Sequence, residues 1–367
     1  MNNPVIIVGA GLSGLRAASL LTKQGITCKV LEARDRIGGR ILSESVPNQE
    51  DLGRFDLGPT WFWPQHERKI SALVEELGLV NFVQQNEGDM LMERFQTKSP
   101  ERCVMEEHID ARGVRLTGGM QSLIDALAEQ IPAKMIELET RVKEICMDEV
   151  GKITVTVERA GGKLENMRAA SVILALPPRL VARHIKFSPS LPTELLTDIA
   201  EKPTWMGSQA KVVVVFDRPF WRESGLSGLV LSSVGPLQEI YDASPTNGSG
   251  ALFGFFGIPS EARQHMGPEK VKKLVANQLV KLFGKDAENP RAILYKDWSS
   301  DLNTAVEEDS SPFKNYASYG QPPSAGDWEE KVFFAGTETN SQYSGHLEGA
   351  LRSAEQAVNK ILALNSK

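Results

Sequence analysis

The sequence predicts an α/β fold, a Rossmann-type nucleotide-binding domain joined to a second α+β domain that contains an antiparallel sheet. Three observations predict it: a βαβ unit closed around Gly9-Ala10-Gly11-Leu12-Ser13-Gly14, a run of short strands over 211–256 separated by Gly/Pro/Ser turns, and a strand, glycine turn and helix near the C-terminal end. At roughly 100–200 residues per domain, a chain of 367 residues is long enough for two cores.

Val5-Ile6-Ile7-Val8 is a short β-branched run that ends in glycine. Leu12, Leu15, Ala18, Leu20 and Leu21 follow at helical spacing, Gly25 closes that helix, and 26–31 forms the second strand. A helix over 66–77 puts Ile70, Leu73, Val74 and Leu77 on one face and stops at Gly78. Gly118-Gly119 opens another, bearing Met120, Leu123, Ile124 and Leu127. Residues 153–157 alternate as a half-buried strand, and 172–176 is a continuous buried run stopped by Pro177-Pro178. Residues 244–248 read as a hairpin tip, and Pro268 starts a helix through Leu282 that Gly284 closes. Val332-Phe333-Phe334 is the last strand, before a helix carrying Leu347, Ala350, Leu351, Ala354, Val358 and Ile361.

Composition removes several function classes. Apolar residues make up 41% and charged residues 24%, ordinary for a soluble globular protein, and 41 basic against 47 acidic residues leave no basic excess for a phosphate backbone. No nucleic-acid partner is expected. Cys28, Cys103 and Cys146 are far apart and form no CxxC, so neither a disulfide framework nor a thiolate metal site is expected, and a reducing compartment fits. The histidines at 66, 108, 184, 265 and 346 never fall at ligand spacing, so no metal is expected. With no leader-like segment and no apolar run of about 18 residues, the expectation is a soluble, cytoplasmic protein that does not enter a membrane.

The glycine motif sits after a strand and opens a helix. Gly9 makes the tight turn, Gly11 lets the backbone approach a pyrophosphate, and Gly14 lets the helix pack on the strand; Leu12 and Ser13 begin the helix whose free N–H groups face the phosphates. Glu32 ends the second strand and can accept ribose hydroxyls, which disfavours a 2′-phosphate while leaving NAD and FAD both open. Downstream, Glu32-Ala33-Arg34-Asp35-Arg36-Ile37-Gly38-Gly39-Arg40 offers backbone amides and guanidinium charge to the pyrophosphate from a second side; the plainer alternative is a solvated basic loop.

Together GAGLSGL, LEARDRIGGR and Phe55-Asp56-Leu57-Gly58-Pro59-Thr60-Trp61 resemble the flavin-containing amine oxidases, with the monoamine oxidases nearest by pattern. The likeness continues through Thr117-Gly118-Gly119-Met120, residues 172–178, KVVVVFDRPFW at 211–221, FFAGTET at 333–339 and SGHLEGA at 344–350. It implies non-covalent FAD bound in an extended, glutathione-reductase-like form, an FAD-binding domain from 1–75, 116–187 and 330–367, and a substrate domain from 76–115 and 188–329. To the cofactor residues already named, with Ala33, Arg34 and Arg40, it adds Gly58, Pro59, Thr60, Val142, Trp298, Gly336, Glu338, His346 and Leu347. Glu338 could bond a ribityl or phosphate-side hydroxyl, and the positive end of the helix starting near His346 would stabilise charge on a reduced flavin.

The chemistry implied is removal of a hydride equivalent from the carbon beside a neutral amine, hydrolysis of the imine, and reduction of O2 to peroxide. Lys211 matches the family lysine that holds a water at the flavin; on strand logic alone it is equally an edge residue. Tyr316 matches the first ring of the family's aromatic cage. The second ring position falls on His346, with Tyr343 three residues earlier, so the cage is either Tyr316 with the imidazole or rebuilt by Trp61 and Trp63. Asn315 stands where some members attach flavin through cysteine. Trp61 stands where L-amino-acid oxidases place a carboxylate-binding arginine, so the expected substrate is a small primary or secondary amine, with a polyamine still open. The alternatives are a flavin-dependent desaturase or oxidase of another metabolite and a catalytically silent flavin-binding protein. A homodimer is compatible with the sequence.

Overall fold

A computed structural model describes residues 3–104, 113–310 and 319–365. At its centre is a five-stranded sheet in the order Val332–Phe334, Ser171–Leu174, Val5–Val8, Cys28–Leu31, Ile136–Glu137, with every neighbouring pair parallel. Val5–Val8, Ser171–Leu174 and Val332–Phe334 are buried throughout and read as almost wholly apolar runs because both faces are covered. Val5, Ile7, Ile173 and Phe333 pack with the helices Leu12–Lys23, Gln121–Glu129 and Leu347–Asn365 on one side. Ile6, Val8, Val172, Leu174 and Phe334 pack on the other against the strands Thr140–Met147 and Ile153–Arg159, part of a four-stranded sheet.

The second unit is a seven-stranded sheet in the order Ala292–Asp297, Ala210–Phe216, Gly250–Phe256, Leu237–Asp242, Leu226–Ser232, Asp89–Glu93, Glu101–Cys103. All its pairings are antiparallel except that of Leu226–Ser232 with Asp89–Glu93. In Ala210–Phe216, Val212, Val214 and Phe216 face the Pro268–Phe283 helix, while Val213 and Val215 join Phe55, Leu57 and Phe253 on the opposite face. Side chains alternate along a strand, so Lys211 falls on that opposite face.

Two sequence expectations need adjusting. The helix expected over 66–77 is shorter, Arg68–Glu76, because Glu67 is held back as a cap position with its carboxylate on the Trp63 N–H at 2.7 Å. Pro177-Pro178 does more than stop a strand: Pro178 is the first residue of the helix Pro178–His184, a position where its missing N–H costs nothing. Among the described residues no helix is long and apolar enough to cross a membrane.

Candidate functional site

A cavity of ≈590 Å³ runs along the carboxyl ends of the parallel strands, reached by Gly9, Glu32, Ala175 and Gly336, and on to the face of the seven-stranded sheet that bears Lys211. The crevice beyond the carboxyl ends of such strands is where an open α/β sheet leaves room for a ligand.

At the first strand the glycines are sterically required. Gly9 has φ +105°, and a Cβ on Gly14 would lie 1.9 Å from the Gly9 carbonyl oxygen. The 38–39 turn folds back so that a Cβ on Gly39 would meet the Gly11 Cα at 3.3 Å. Gly11, Leu12 and Ser13 line the cavity, and the Ser13 hydroxyl is buried with no partner among the described residues. An orphaned hydroxyl at the start of a helix, in a glycine cradle, fits a phosphate group. Glu32 is buried and accepts the N–H groups of Ala10 at 2.8 Å and Arg34 at 3.0 Å, with its carboxylate on the cavity wall. Ala33 and Val142 line the same end. These features fit an extended dinucleotide.

The arginines divide. Arg34 lines the cavity but donates to Asp301 at 2.7 Å and Thr304 at 2.8 Å. Arg36 is spent on the backbone carbonyls of Ile37, Gly39 and Ile41, so it braces the glycine turn rather than lending charge to a pyrophosphate. Arg40 reaches the cavity and grips Glu338 through two bonds, 2.6 and 3.0 Å. Glu338 is fully buried, also accepts the Trp205 N–H at 3.0 Å, and is absent from the cavity wall. The expectation that it bonds a ribityl hydroxyl is therefore corrected: a desolvated carboxylate needs its arginine, and that pairing turns it away. Gly336 and Leu347 do line the cavity, and Leu347 opens the helix Leu347–Asn365, so a helix N-terminus faces the ligand space.

At the other end Lys211 is 3% exposed. Its Nζ donates to the Gly58 carbonyl oxygen at 2.8 Å and to the Thr60 hydroxyl, and lies 4.0 Å from the Phe253 ring centroid. Burial pulls its pKa down to about 7, with Asp56 pulling it back up and Arg115 adding to the fall. Asp56, also buried, is pushed above the usual carboxylate range by desolvation, against the pull of Lys211. Pro59 lines the wall between, and Trp298 is fixed there by its indole N–H on the Leu57 carbonyl at 3.0 Å.

Beyond Lys211 the wall is aromatic. Trp61 lies 5.2 Å from Tyr241 and 5.3 Å from Phe253, centroid to centroid, and 6.2 Å from Trp63, which lies 5.8 Å from the His346 ring. His346 lines the cavity and holds Glu67 through Nδ1 at 2.7 Å. Tyr343 does not belong to this wall. Its hydroxyl donates to the His66 carbonyl at 3.0 Å under the Arg352 guanidinium, so its expected place beside the substrate is corrected. Tyr316 and Asn315 lie outside the described residues.

Sequence reasoning missed Tyr241, Phe253, Phe255, Glu239 and Glu67, all of which line the cavity. The register offers a signal for four of them: Lys211 pairs with Phe255, which pairs with Glu239, and Phe253 pairs with Tyr241, so alternation projects them to the face of Lys211. Nothing local marks Glu67.

A family model described as flavin containing amine oxidoreductase matches residues 92–362, and one described as NAD(P)-binding Rossmann-like domain matches residues 7–77. The chain is 27% identical to a probable flavin-containing monoamine oxidase A of Dictyostelium discoideum over 99% of this chain and 98% of that protein. It is 25% identical to putrescine oxidase of Kocuria rosea over 99% and 95%. The alignment with the Dictyostelium protein runs over 468 positions against 367 residues here, so that relative carries internal segments this chain lacks. The fold is similar to that of cyclohexylamine oxidase from Brevibacterium oxydans, with TM-score 0.80, 22% identity and all of both chains covered. It is equally similar to that of putrescine oxidase bound to putrescine, with TM-score 0.79, 22% identity and 99% of each chain covered.

Proposed function

Because the chain belongs to the flavin-containing amine oxidoreductase family, we propose that it oxidises a small primary or secondary amine to an imine, which hydrolyses to an aldehyde or ketone, with O2 reduced to H2O2. The observation that carries this reading is the placement of Lys211, a buried lysine at the junction of the dinucleotide crevice and the aromatic wall. FAD supplies the hydride acceptor when bound, held by Gly9, Gly11, Ser13, Glu32, Arg40 and the N-terminus of Leu347–Asn365. The aromatic wall excludes water and so disfavours the ammonium form of the substrate, while Trp61 and Trp63 orient its carbon chain. With its pKa lowered to about 7, Lys211 can gain or lose a proton at Nζ near neutral pH and can place a water at the crevice.

We assign the FAD-binding and substrate domains to the segments given by the sequence, and the free cysteines to a reducing cytoplasm. The steady-state test is oxygen uptake matched one for one by peroxide and by aldehyde; uptake without aldehyde would point to oxidation of something other than an amine. FAD is expected to appear in the supernatant after acid precipitation, since Asn315 offers no thioether. A yellow pellet would contradict non-covalent attachment.

A second reading, an amine with two cationic ends, is favoured by Glu239. Its carboxylate lines the cavity beside Phe255, is exposed, and accepts the Tyr241 hydroxyl at 2.7 Å. A second ammonium there would meet an anion at the end of the aromatic wall. Glu239→Gln is expected to raise KM for a diamine about tenfold while leaving KM for a monoamine of equal length unchanged, as befits one charge-assisted hydrogen bond. Equal effects on both would exclude a diamine site.

A further inference from the structure

His346 and Glu67 are 279 residues apart in sequence, yet each sits at the N-terminal edge of a helix, His346 before Leu347–Asn365 and Glu67 before Arg68–Glu76. Both line the cavity. The backbone positions are pinned: the His346 carbonyl accepts the Thr337 hydroxyl at 2.8 Å, and the Glu67 N–H donates to the Trp63 carbonyl at 2.8 Å. Glu67 is 3% exposed and uses one carboxylate oxygen for the Trp63 N–H and the other for His346 Nδ1. That leaves Nε2, without a partner among the described residues, as the ring nitrogen available to a ligand, beside Trp63. The imidazole side chain is 40% exposed, so a proton on it can reach water.

We propose that His346 is the base that takes the proton from the bound substrate ammonium, and that Glu67 is the positioning residue that makes it one. Nε2 accepts the proton of R–NH3+, giving R–NH2 and an imidazolium whose Nδ1–H donates to the Glu67 carboxylate and which keeps the proton while the amine is bound, releasing it to water when the site empties. No electrons move in this step. A carboxylate on Nδ1 fixes the tautomer that presents a bare Nε2 and stabilises the cation that forms. The desolvating wall weakens the ammonium on the other side of the transfer. Glu67 holds the His346 pKa above its ordinary value, its hydrogen bond outweighing burial.

Among the described residues, these charges on the neighbouring elements are paired. Glu348 accepts the N–H groups of Lys69 and Ile70 and pairs with Arg352, which lies over Tyr343. Lys69 pairs with Glu355. Trp205 lies against Gly345, the residue before His346; on its loop Lys202 pairs with Asp198, and Arg40, which donates to the Trp205 carbonyl, pairs with Glu338.

The proposal rests on the amine-oxidase reading for its substrate, and two experiments keep them distinguishable. In the first, anaerobic flavin reduction by an amine is timed against pH in the wild-type holoenzyme, H346F and E67Q. H346F is expected to lose at least tenfold in rate near pH 7 and to recover as pH rises towards the ammonium's own pKa of about 10. E67Q should move the wild-type acid limb to lower pH, because the raising effect of Glu67 is gone. A loss in H346F that is equal at every pH, or no loss, would overturn the proposal; so would an unmoved limb in E67Q. In the second, 15N-histidine spectra of the FAD-loaded protein are recorded with tert-butylamine, which has no α C–H to oxidise. The resonance missing from H346F should move from imidazole to imidazolium on adding the amine above the free-state pKa. A resonance that stays neutral would overturn the proposal even if the protein oxidised amines, and a protonated one would support it even if it did not.

Discussion

Lys211→Met is expected to slow flavin reoxidation by O2 about a hundredfold, the usual loss when one preorganised charged donor leaves a water-excluded site. Methionine is close to lysine in length and removes only the amino group, so the packing against Phe253 survives and the effect is chemical. The pH dependence separates this from a general disturbance. With a pKa lowered to about 7, Nζ is cationic below that pH and neutral above it, so any rate that needs the cation should fall as pH rises through about 7 in the wild type and show no such limb in the variant. Stability carries the opposite sign. Between about 7 and the ordinary 10.5 the unfolded chain binds more protons at this lysine than the folded one, so wild-type stability should rise with pH across that window and the variant should lack that rise. Stopped-flow reoxidation and urea unfolding at several pH values measure the two. A variant that reoxidises normally would remove Lys211 from the chemistry.

Arg40→Met is expected to destabilise the protein by about 3–5 kcal/mol, the range for removing one partner of a buried ion pair, towards the lower end because Arg40 keeps some solvent exposure. Glu338 would be left fully buried, with the Trp205 N–H as its one remaining donor among the described residues. The double variant Arg40→Met/Glu338→Met should recover much of the loss, since replacing both partners removes the uncompensated charge. The urea midpoint of each single and the double variant gives the coupling directly. If both singles were as stable as the wild type, the pair would not be what joins the glycine turn to the C-terminal strand.

These two residues also mark what the sequence could and could not disclose. The nucleotide half was legible because its determinants are local: a β-branched run, three glycines and Glu32 fall within one βαβ unit, and apolar runs on Val5–Val8 and Ser171–Leu174 declare strands buried on both faces. Lys211 was legible only through the block around it, since a lysine before four valines is otherwise ambiguous. Its partners follow from strand register, which no single segment states. The ion pair between Arg40 and Glu338 spans 298 residues and the His346–Glu67 bond spans 279, so neither leaves a pattern in the local sequence. Glu338 was misread for that reason: an acid after a glycine turn looks available until its arginine arrives from the other end of the chain. Tyr343 is placed by the resemblance beside the second ring position, whereas the turn before the last helix points its hydroxyl at the His66 carbonyl, a contact no local pattern states.

The most direct test of amine oxidation is the visible spectrum of the purified holoprotein under anaerobic conditions, before and after monoamines, diamines and amino acids. Bleaching of the flavin band by an amine, with no response to amino acids, is the predicted result, and the class that bleaches it fastest identifies the substrate. A flavin band that photoreduces normally but that no amine bleaches would contradict amine oxidation by this chain.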